Sequence, residues 1–183
     1  MHILGVQGSP RKHGNTQILV EKVLDGARDA GATTLMIQLG DMTIAECDGC
    51  HACWKGKECP KNDDMNAVYA TIAESDAVVF GTPVYWFGPT ALMKAFIDRF
   101  VYFNCPENRA KVGGKRAALV APFEDDDFET ARPLVEMFRM GLEYVEMTLL
   151  EPLLVPGVGE KGEVLKHPEQ LQAAYALGQR LAS

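Results

Sequence analysis

His2-Ile3-Leu4-Gly5-Val6-Gln7-Gly8-Ser9-Pro10-Arg11-Lys12-His13-Gly14-Asn15-Thr16 joins a short apolar run to a polar loop bracketed by two glycines. From Thr16 to Ala30 the apolar residues Ile18, Leu19, Val23 and Ala27 recur at helical spacing. The stretch therefore reads as strand, loop and helix. Downstream the alternation continues. A β-rich run, Thr33 to Leu39, follows Gly31, and the segment 40 to 62 shows no sustained period and reads as a long loop. Asp63-Asp64 can cap a helix through about Ser75, and Ala77-Val78-Val79-Phe80 suits a buried parallel strand. An amphipathic helix is predicted from about Thr90 to Val101, a strand from Arg116 to Ala121 and a helix from about Phe128 to Leu142. Tyr144 to Val155 is mixed apolar and supplies a last strand, and Pro168 to Leu181 opens with proline as a terminal helix does.

Five strands alternating with five helices imply right-handed crossovers and an α/β fold, a parallel sheet covered on both faces. The 183 residues suit one domain, with neither repeat nor linker. A doubly wound sheet binds its ligand at the carboxyl ends of the strands, where strand order reverses. For a five-stranded sheet of order 2-1-3-4-5, that crevice is lined by the loops after strands 1, 3 and 4.

Composition narrows the function. A net charge of −7 lacks the basic face that nucleic acid requires. No window offers the roughly 20 apolar residues of a membrane span, and the N-terminus carries no secretory pattern, so a cytoplasmic location is expected. Four of the five cysteines fall between Cys47 and Cys59, which in a domain of this size points to metal or redox chemistry rather than to disulfides.

The first loop has the makings of an anion site. A helix start offers unpaired N–H groups and positive dipole character. Ser9, Asn15 and Thr16 add side-chain donors, Arg11 adds charge, and Gly8 and Gly14 permit close backbone approach. The spacing is not that of a P-loop, because five residues separate Gly8 from Gly14 and asparagine follows; nor is G-x-G-x-x-G present. A monophosphate cradle of the kind FMN requires remains, beside the plainer reading of a turn with Thr16 as helix cap.

The loop after strand 3, Gly81-Thr82-Pro83-Val84-Tyr85-Trp86-Phe87-Gly88-Pro89-Thr90, carries three consecutive aromatics. Surface loops ordinarily shed apolar bulk. A planar ring system would explain them, and so would burial of Trp86 and Phe87 in the core or in a subunit contact. Lys94, Asp98 and Arg99 read as surface or ion-pairing groups. The acidic run Glu124 to Asp127 reads as helix capping and solvation. Cys47-x2-Cys50-x2-Cys53-x5-Cys59 is too compact for paired zinc knuckles, whereas three close thiolates and a fourth nearby suit the corners of a [4Fe–4S] cube. Free thiols or a disulfide are the alternative. His51 and Trp54 sit within this loop, and Cys105 stands apart as a free thiol.

Taken together, Gly8-Ser9-Pro10-Arg11, Gly14-Asn15-Thr16, Thr82-Pro83-Val84-Tyr85-Trp86, Lys94 to Arg99, Asp63-Asp64-Met65, Gly157 and Gly162 resemble, in order along most of the chain, the NADPH-dependent FMN reductase family. The compact cysteine run resembles its iron–sulfur flavoprotein branch. The resemblance implies a flavodoxin-like three-layer sandwich with non-covalent FMN. It implies that Ser9, Arg11, Gly14, Asn15 and Thr16 hold the phosphate, and that Pro83, Val84, Tyr85, Trp86 and Phe87 border the ring system. Cys47, Cys50, Cys53 and Cys59 would be the cluster ligands. It further implies NAD(P)H as co-substrate, a small-molecule or protein electron donor and acceptor, and a homodimer or homotetramer. The acidic loop departs from a pattern that is often glycine-rich in relatives. Two readings from other classes stand beside this one: a non-catalytic electron carrier, and a flavin-free cysteine-loop metal or thiol module.

Overall fold

The computed structural model describes residues 1–183. Its sheet has the order β2-β1-β3-β4-β5, all pairs parallel, with β6 also on β4. The strands are β1 (His2–Gln7), β2 (Thr33–Gln38), β3 (Ala77–Gly81), β4 (Arg116–Pro122), β5 (Thr148–Leu149) and β6 (Leu153–Val155). The helices are α1 (Asn15–Asp29), α2 (Met65–Glu74), α3 (Ala91–Asp98), the single turn α4 (Pro106–Arg109), α5 (Arg132–Tyr144) and α6 (Pro168–Ala182).

The period of two along a strand divides the core between two faces. Leu4, Val6, Val78, Phe80, Ala117 and Leu119 point to one side, where Met65 and Ile72 of α2, Met93 and Phe96 of α3, and Leu134 and Phe138 of α5 cover them. Ile3, Ala77, Val79, Ala118 and Val120 point to the other, under Leu19, Val20 and Val23 of α1 and Ala174, Leu177 and Leu181 of α6. Both faces are thus buried, as the alternation of elements predicts.

Two elements differ from the sequence reading. The expected last strand is two short pieces, Thr148–Leu149 and Leu153–Val155, both paired to β4. Pro152 lies in the break and has no N–H to give a ladder. The expected helix from Thr90 to Val101 ends at Asp98 and tightens into a 3-10 segment, Arg99–Asn104. No helix is long and apolar enough to cross a membrane.

On the outer layer α1 and α6 touch backbone to backbone. A Cβ added to Gly178 would overlap the Val23 carbonyl oxygen, and one on Gly26 would overlap that of Tyr175. Gly178→Ala is therefore expected to lower stability by about 1–3 kcal/mol, the usual cost of overpacking. Its urea midpoint should fall below that of the parent, whereas Gly141→Ala, where an added Cβ meets no atom within 4 Å, should not lower it.

Candidate functional site

Strand β1 lies between β2 and β3, so the chain leaves its carboxyl end at the reversal point of the sheet. Gly8 continues the ladder by donating to the Gly81 carbonyl (2.8 Å). Its own carbonyl accepts from the Thr90 hydroxyl at 2.5 Å. A Cβ on Gly8 would stand 2.7 Å from the Met93 methyl, so only glycine lets the loop seat there without displacing that side chain. The chain then turns through Ser9 to His13 into α1. Gly14 is the N-cap residue, with extended backbone and no side chain to cap the helix. The first-turn N–H groups consequently have no side-chain cap.

A crevice of about 110 Å³ opens here, walled by the loops after β1 (Ser9, Arg11, Asn15, Thr16), β3 (Pro83, Val84, Tyr85) and β4 (Pro122, Phe123, Glu124). The segment after β6 closes the fourth side with Val158, Gly159 and Lys161. Ser9 Oγ accepts from the Arg11 N–H (3.2 Å), and Arg11 Nη1 donates to the Gly159 carbonyl (2.7 Å). The Asn15 amide is committed to that same segment. Its Nδ2 donates to the Val158 and Glu160 carbonyls and its Oδ1 accepts from the Val164 N–H, so this side chain is a strut between two walls. Thr16 is buried and, with Gly14 in the cap position, does not cap α1. Lys161 was not legible as a site residue. The one signal for it is its place in the Gly157 to Gly162 segment after the last strand.

Trp86 and Phe87 are neither core nor crevice wall. They form the tip of a tight hairpin in which Tyr85 and Gly88 exchange both backbone hydrogen bonds (2.8 and 3.0 Å). Trp86 is 95% exposed and Phe87 54%. Both have positive φ (50° and 63°), the conformation of a primed turn that asparagine and glycine adopt readily and bulky residues do not.

The acidic run behaves as capping residues do. Asp127 Oδ1 accepts from the Glu129 N–H (2.9 Å) and Asp125 Oδ2 from the Thr130 hydroxyl (2.7 Å), while Glu124 reaches the crevice wall. The Thr130 hydroxyl and, after it, the Asp127 N–H, which donates to Asp125 Oδ1 (3.1 Å), hold the Asp125 carboxyl below its ordinary range.

All four clustered cysteines line one enclosed cavity of about 20 Å³, together with Tyr69, Arg99 and Val101. They are free thiols, and no three metal-binding side chains are drawn close enough to grip an ion. Burial pushes the Cys53 thiol up from its ordinary value. Arg99 is buried at 1% exposure, not a surface residue. All five of its N–H groups find acceptors. Nη1 donates to Asp63 Oδ2 (2.6 Å) and the Ala45 carbonyl (2.9 Å), Nη2 to Asp63 Oδ1 (3.1 Å) and Cys59 Sγ (3.3 Å), and Nε to the Tyr69 hydroxyl (3.2 Å). Asp63 and Asp64 were expected as helix caps. Asp63 does hold the first N–H of α2, that of Met65 (3.2 Å), and it also accepts from the Ala45 N–H (3.0 Å), while Asp64 accepts from the Thr43 N–H (2.6 Å), so both carboxylates also fasten the cysteine loop. Lys94 and Asp98 form an exposed ion pair, as expected.

The sequence matches the profile of the family described as NADPH-dependent FMN reductase over residues 1–151. The chain belongs to that family. FMN is the flavin named in that family's description. An iron–sulfur flavoprotein of Archaeoglobus fulgidus is 40% identical, with 99% of this chain and 94% of that protein covered. An NAD(P)H-dependent FMN-containing oxidoreductase assigned in Bacillus subtilis is 28% identical over 98% of both chains. Two further iron–sulfur flavoproteins, from Archaeoglobus fulgidus and Methanocaldococcus jannaschii, are each 36% identical over 62% of this chain. The matches span only 52% and 60% of their lengths, so the chain covers little more than half of those relatives. Among solved structures, the Trp repressor binding protein of Bacillus subtilis superposes with a TM-score of 0.74 at 25% identity, over 97% of this chain and 99% of that one, and shares the flavodoxin-like fold.

Three outcomes follow for this family member. Arg99→Met strands the Asp63 carboxylate in the interior and should cost about 3–5 kcal/mol in urea unfolding. Although burial alone would raise the Asp63 pKa, the Arg99 guanidinium and the Ala45 and Met65 N–H groups hold it below the ordinary range. A depressed folded-state pKa means that its stabilisation is full above about pH 4, the unfolded value, and is lost as pH falls through the folded one. Asp63→Asn should flatten the acid limb of the stability curve below about pH 4 relative to the parent. Separately, replacing Trp86-Phe87 with Asn-Gly should raise stability by about 1–3 kcal/mol, the strain of a disfavoured backbone conformation; an unchanged or lower melting temperature would refute that strain.

Proposed function

We propose that this chain is an NAD(P)H oxidoreductase of one domain, residues 1–183, that moves electrons by way of FMN held in the crevice to a quinone, free flavin, oxygen or iron–sulfur acceptor. The observation that carries the reading is the side-chain-uncapped N-terminus of α1, which opens into a crevice whose walls supply Arg11 and Lys161. These residues fit a phosphate monoester. The Ser9 hydroxyl, the first-turn amides of α1 and the Thr16 hydroxyl are its donors, Gly14 leaves the helix start open, and Asn15 fixes the segment that carries Lys161. Pro83, Val84 and Tyr85 offer backbone groups and an aromatic face along one wall.

FMN supplies the hydride and single-electron chemistry itself, so the residues above bind, orient and exclude water. Trp86 and Phe87 extend beyond the crevice and suit a cover shared with a second copy, in a homodimer or homotetramer. In the cysteine loop the donor set suits a [4Fe–4S] cluster, with Cys47, Cys50, Cys53 and Cys59 as ligands. The cavity is too small for a cubane as it stands, so the loop must open around it. A cytoplasmic location belongs to the same reading. A carrier role is favoured by one feature, the exposed acidic run beside the crevice, which suits a basic redox partner.

Protein purified without oxygen should show flavin absorption bands, and its FMN affinity should fall by about 10–100-fold in Arg11→Ala, the loss of a charge-assisted phosphate contact. About four irons per chain are expected if the cubane forms. Flavin without iron would leave the cysteines a thiol role, absence of flavin uptake would remove the central claim, and negligible NAD(P)H oxidation by the flavin-loaded protein would favour the carrier.

A further inference from the structure

A second cavity, of about 280 Å³, lies on the opposite side of the sheet from α1, between the 3-10 segment after α3 and the inner face of α5. It shares no lining residue with the crevice. We propose that it is a separate binding site for an uncharged, flat aromatic molecule of two fused rings, of the naphthalene or naphthoquinone class. The inference does not depend on what fills the crevice.

The chemistry of the walls selects this ligand. Phe100 and Phe138 are buried and face it from opposite elements, while Trp54 and Tyr144 stand at its rim, 48% and 64% exposed. Aromatic faces on both sides favour a planar ring packed offset or edge-on. No lysine, arginine or histidine lines the cavity, so an anion finds no partner. Asp98 does line it, but its carboxylate is partly exposed and already paired with Lys94 at 2.5 Å, which leaves no buried charge to favour a cation. The volume lies at the small end of ligand sites and matches a bicycle better than a larger cofactor.

An independent observation concerns Gly141, which also lines this cavity. Glycine weakens a helix relative to alanine, so one inside a helix calls for a reason. Gly26 of α1 and Gly178 of α6 have one, because a Cβ at either would overlap the facing backbone. Gly141 has none of that kind, since its Cβ would meet nothing within 4 Å, and α5 continues past it to Tyr144. What the missing side chain leaves open is the mouth of the cavity.

The site also bears on the cysteine loop. Val101 lines both this cavity and the cysteine cavity. Its carbonyl accepts from Trp54 Nε1 (3.2 Å) and lies 3.9 Å from Cys53 Sγ. A ring seated between Trp54 and Phe138 therefore fixes the residue next to Cys53.

The test is a titration of the full chain, labelled with ¹³C at methionine methyls, with 2-naphthol, which cannot alkylate thiols. Met137 lines the cavity and Met140, exposed on the same helix, does not; each resonance is assigned by its Leu variant. The expected result is a saturable shift of Met137 with Met140 unmoved, and an affinity reduced about tenfold or more in both Gly141→Leu, which blocks the mouth on a helix it should strengthen, and Trp54→Ala, which removes one wall. Equal shifts at both methionines, no saturation, or affinity unchanged in both variants would overturn the proposal. So would sedimentation showing that Gly141→Leu splits an oligomer while 2-naphthol leaves Met137 unmoved, because the cavity would then be a subunit contact.

Discussion

The structure depends on two glycines that let helices approach the centre of the sheet from opposite sides. Gly8 ends β1 against Met93 of α3, and Gly81 ends β3 against Val20 and Thr16 of α1. The two are joined by the Gly8 N–H to Gly81 carbonyl bond. With side chains at these positions, α1 and α3 would have to retreat, and the loops that leave β1 and β3 would no longer converge. Thr90 completes the joint. It caps α3 by accepting from the Met93 N–H (3.1 Å), donates to the Gly8 carbonyl, and gives its own N–H to the Thr82 hydroxyl (3.2 Å). The reversal of strand order opens the crevice, and close packing beneath it sets where its walls stand.

The cysteine loop is held differently, by a charge. The guanidinium of Arg99 gathers groups from four stretches of chain, at Ala45, Cys59, Asp63 and Tyr69, around one point at the end of α3. A fully hydrogen-bonded buried ion pair gains little net energy, yet it fixes geometry because any departure leaves a charge unsolvated. Its anchors lie at the two ends of the loop. Between Cys47 and Cys53 the backbone gives few bonds to the rest of the protein, so that portion can rearrange while the ends stay in place. A closed thiol cavity of about 20 Å³ beside a rigid anchor is consistent with a loop that adapts to what it holds.

The fold was legible because its signals are local. Hydrophobic period and turn residues placed β1, α1, β2, β3 and α6 to within a residue or two, and the switch-point rule then pointed to the loops that line the crevice. What escaped the reading depends on partners distant in sequence. Arg99 looks like any arginine at a helix end until Asp63, 36 residues earlier, is brought against it. Asp63-Asp64 has the pattern of a helix cap, and only the return of the chain at Thr43 and Ala45 shows that the carboxylates serve the loop. Asn15 was read as a phosphate donor from its place in the loop, but its amide spans to residues 158 to 164, a segment without regular secondary structure in its first half. Lys161 escaped for the same reason. The run of aromatics left the Trp86-Phe87 pair open between a ring system and burial, the resemblance placed it beside the ring, and no local rule would have put two bulky aromatics in a left-handed turn.

That turn bears on where the chain keeps its strain. Five residues other than glycine have positive φ: His13, His51, Trp86, Phe87 and Glu146. All but Glu146 lie in the phosphate loop, the cysteine loop or the aromatic hairpin, the three segments that surround the proposed cofactors. Disfavoured backbone persists only where surrounding structure or function maintains it. For Trp86 the surrounding structure does not, since the ring is almost wholly exposed and its one aromatic neighbour is Phe87, at 6.4 Å between centroids. An Asn-Gly pair would make the same turn at lower energy, and a polar pair would remove apolar surface from water contact. The conformational cost and the exposed apolar area therefore have no return within a single chain. That unreturned cost is what supports the proposed cover over the crevice, in which the hairpin tip is one face and a bound ring system or a second copy the other.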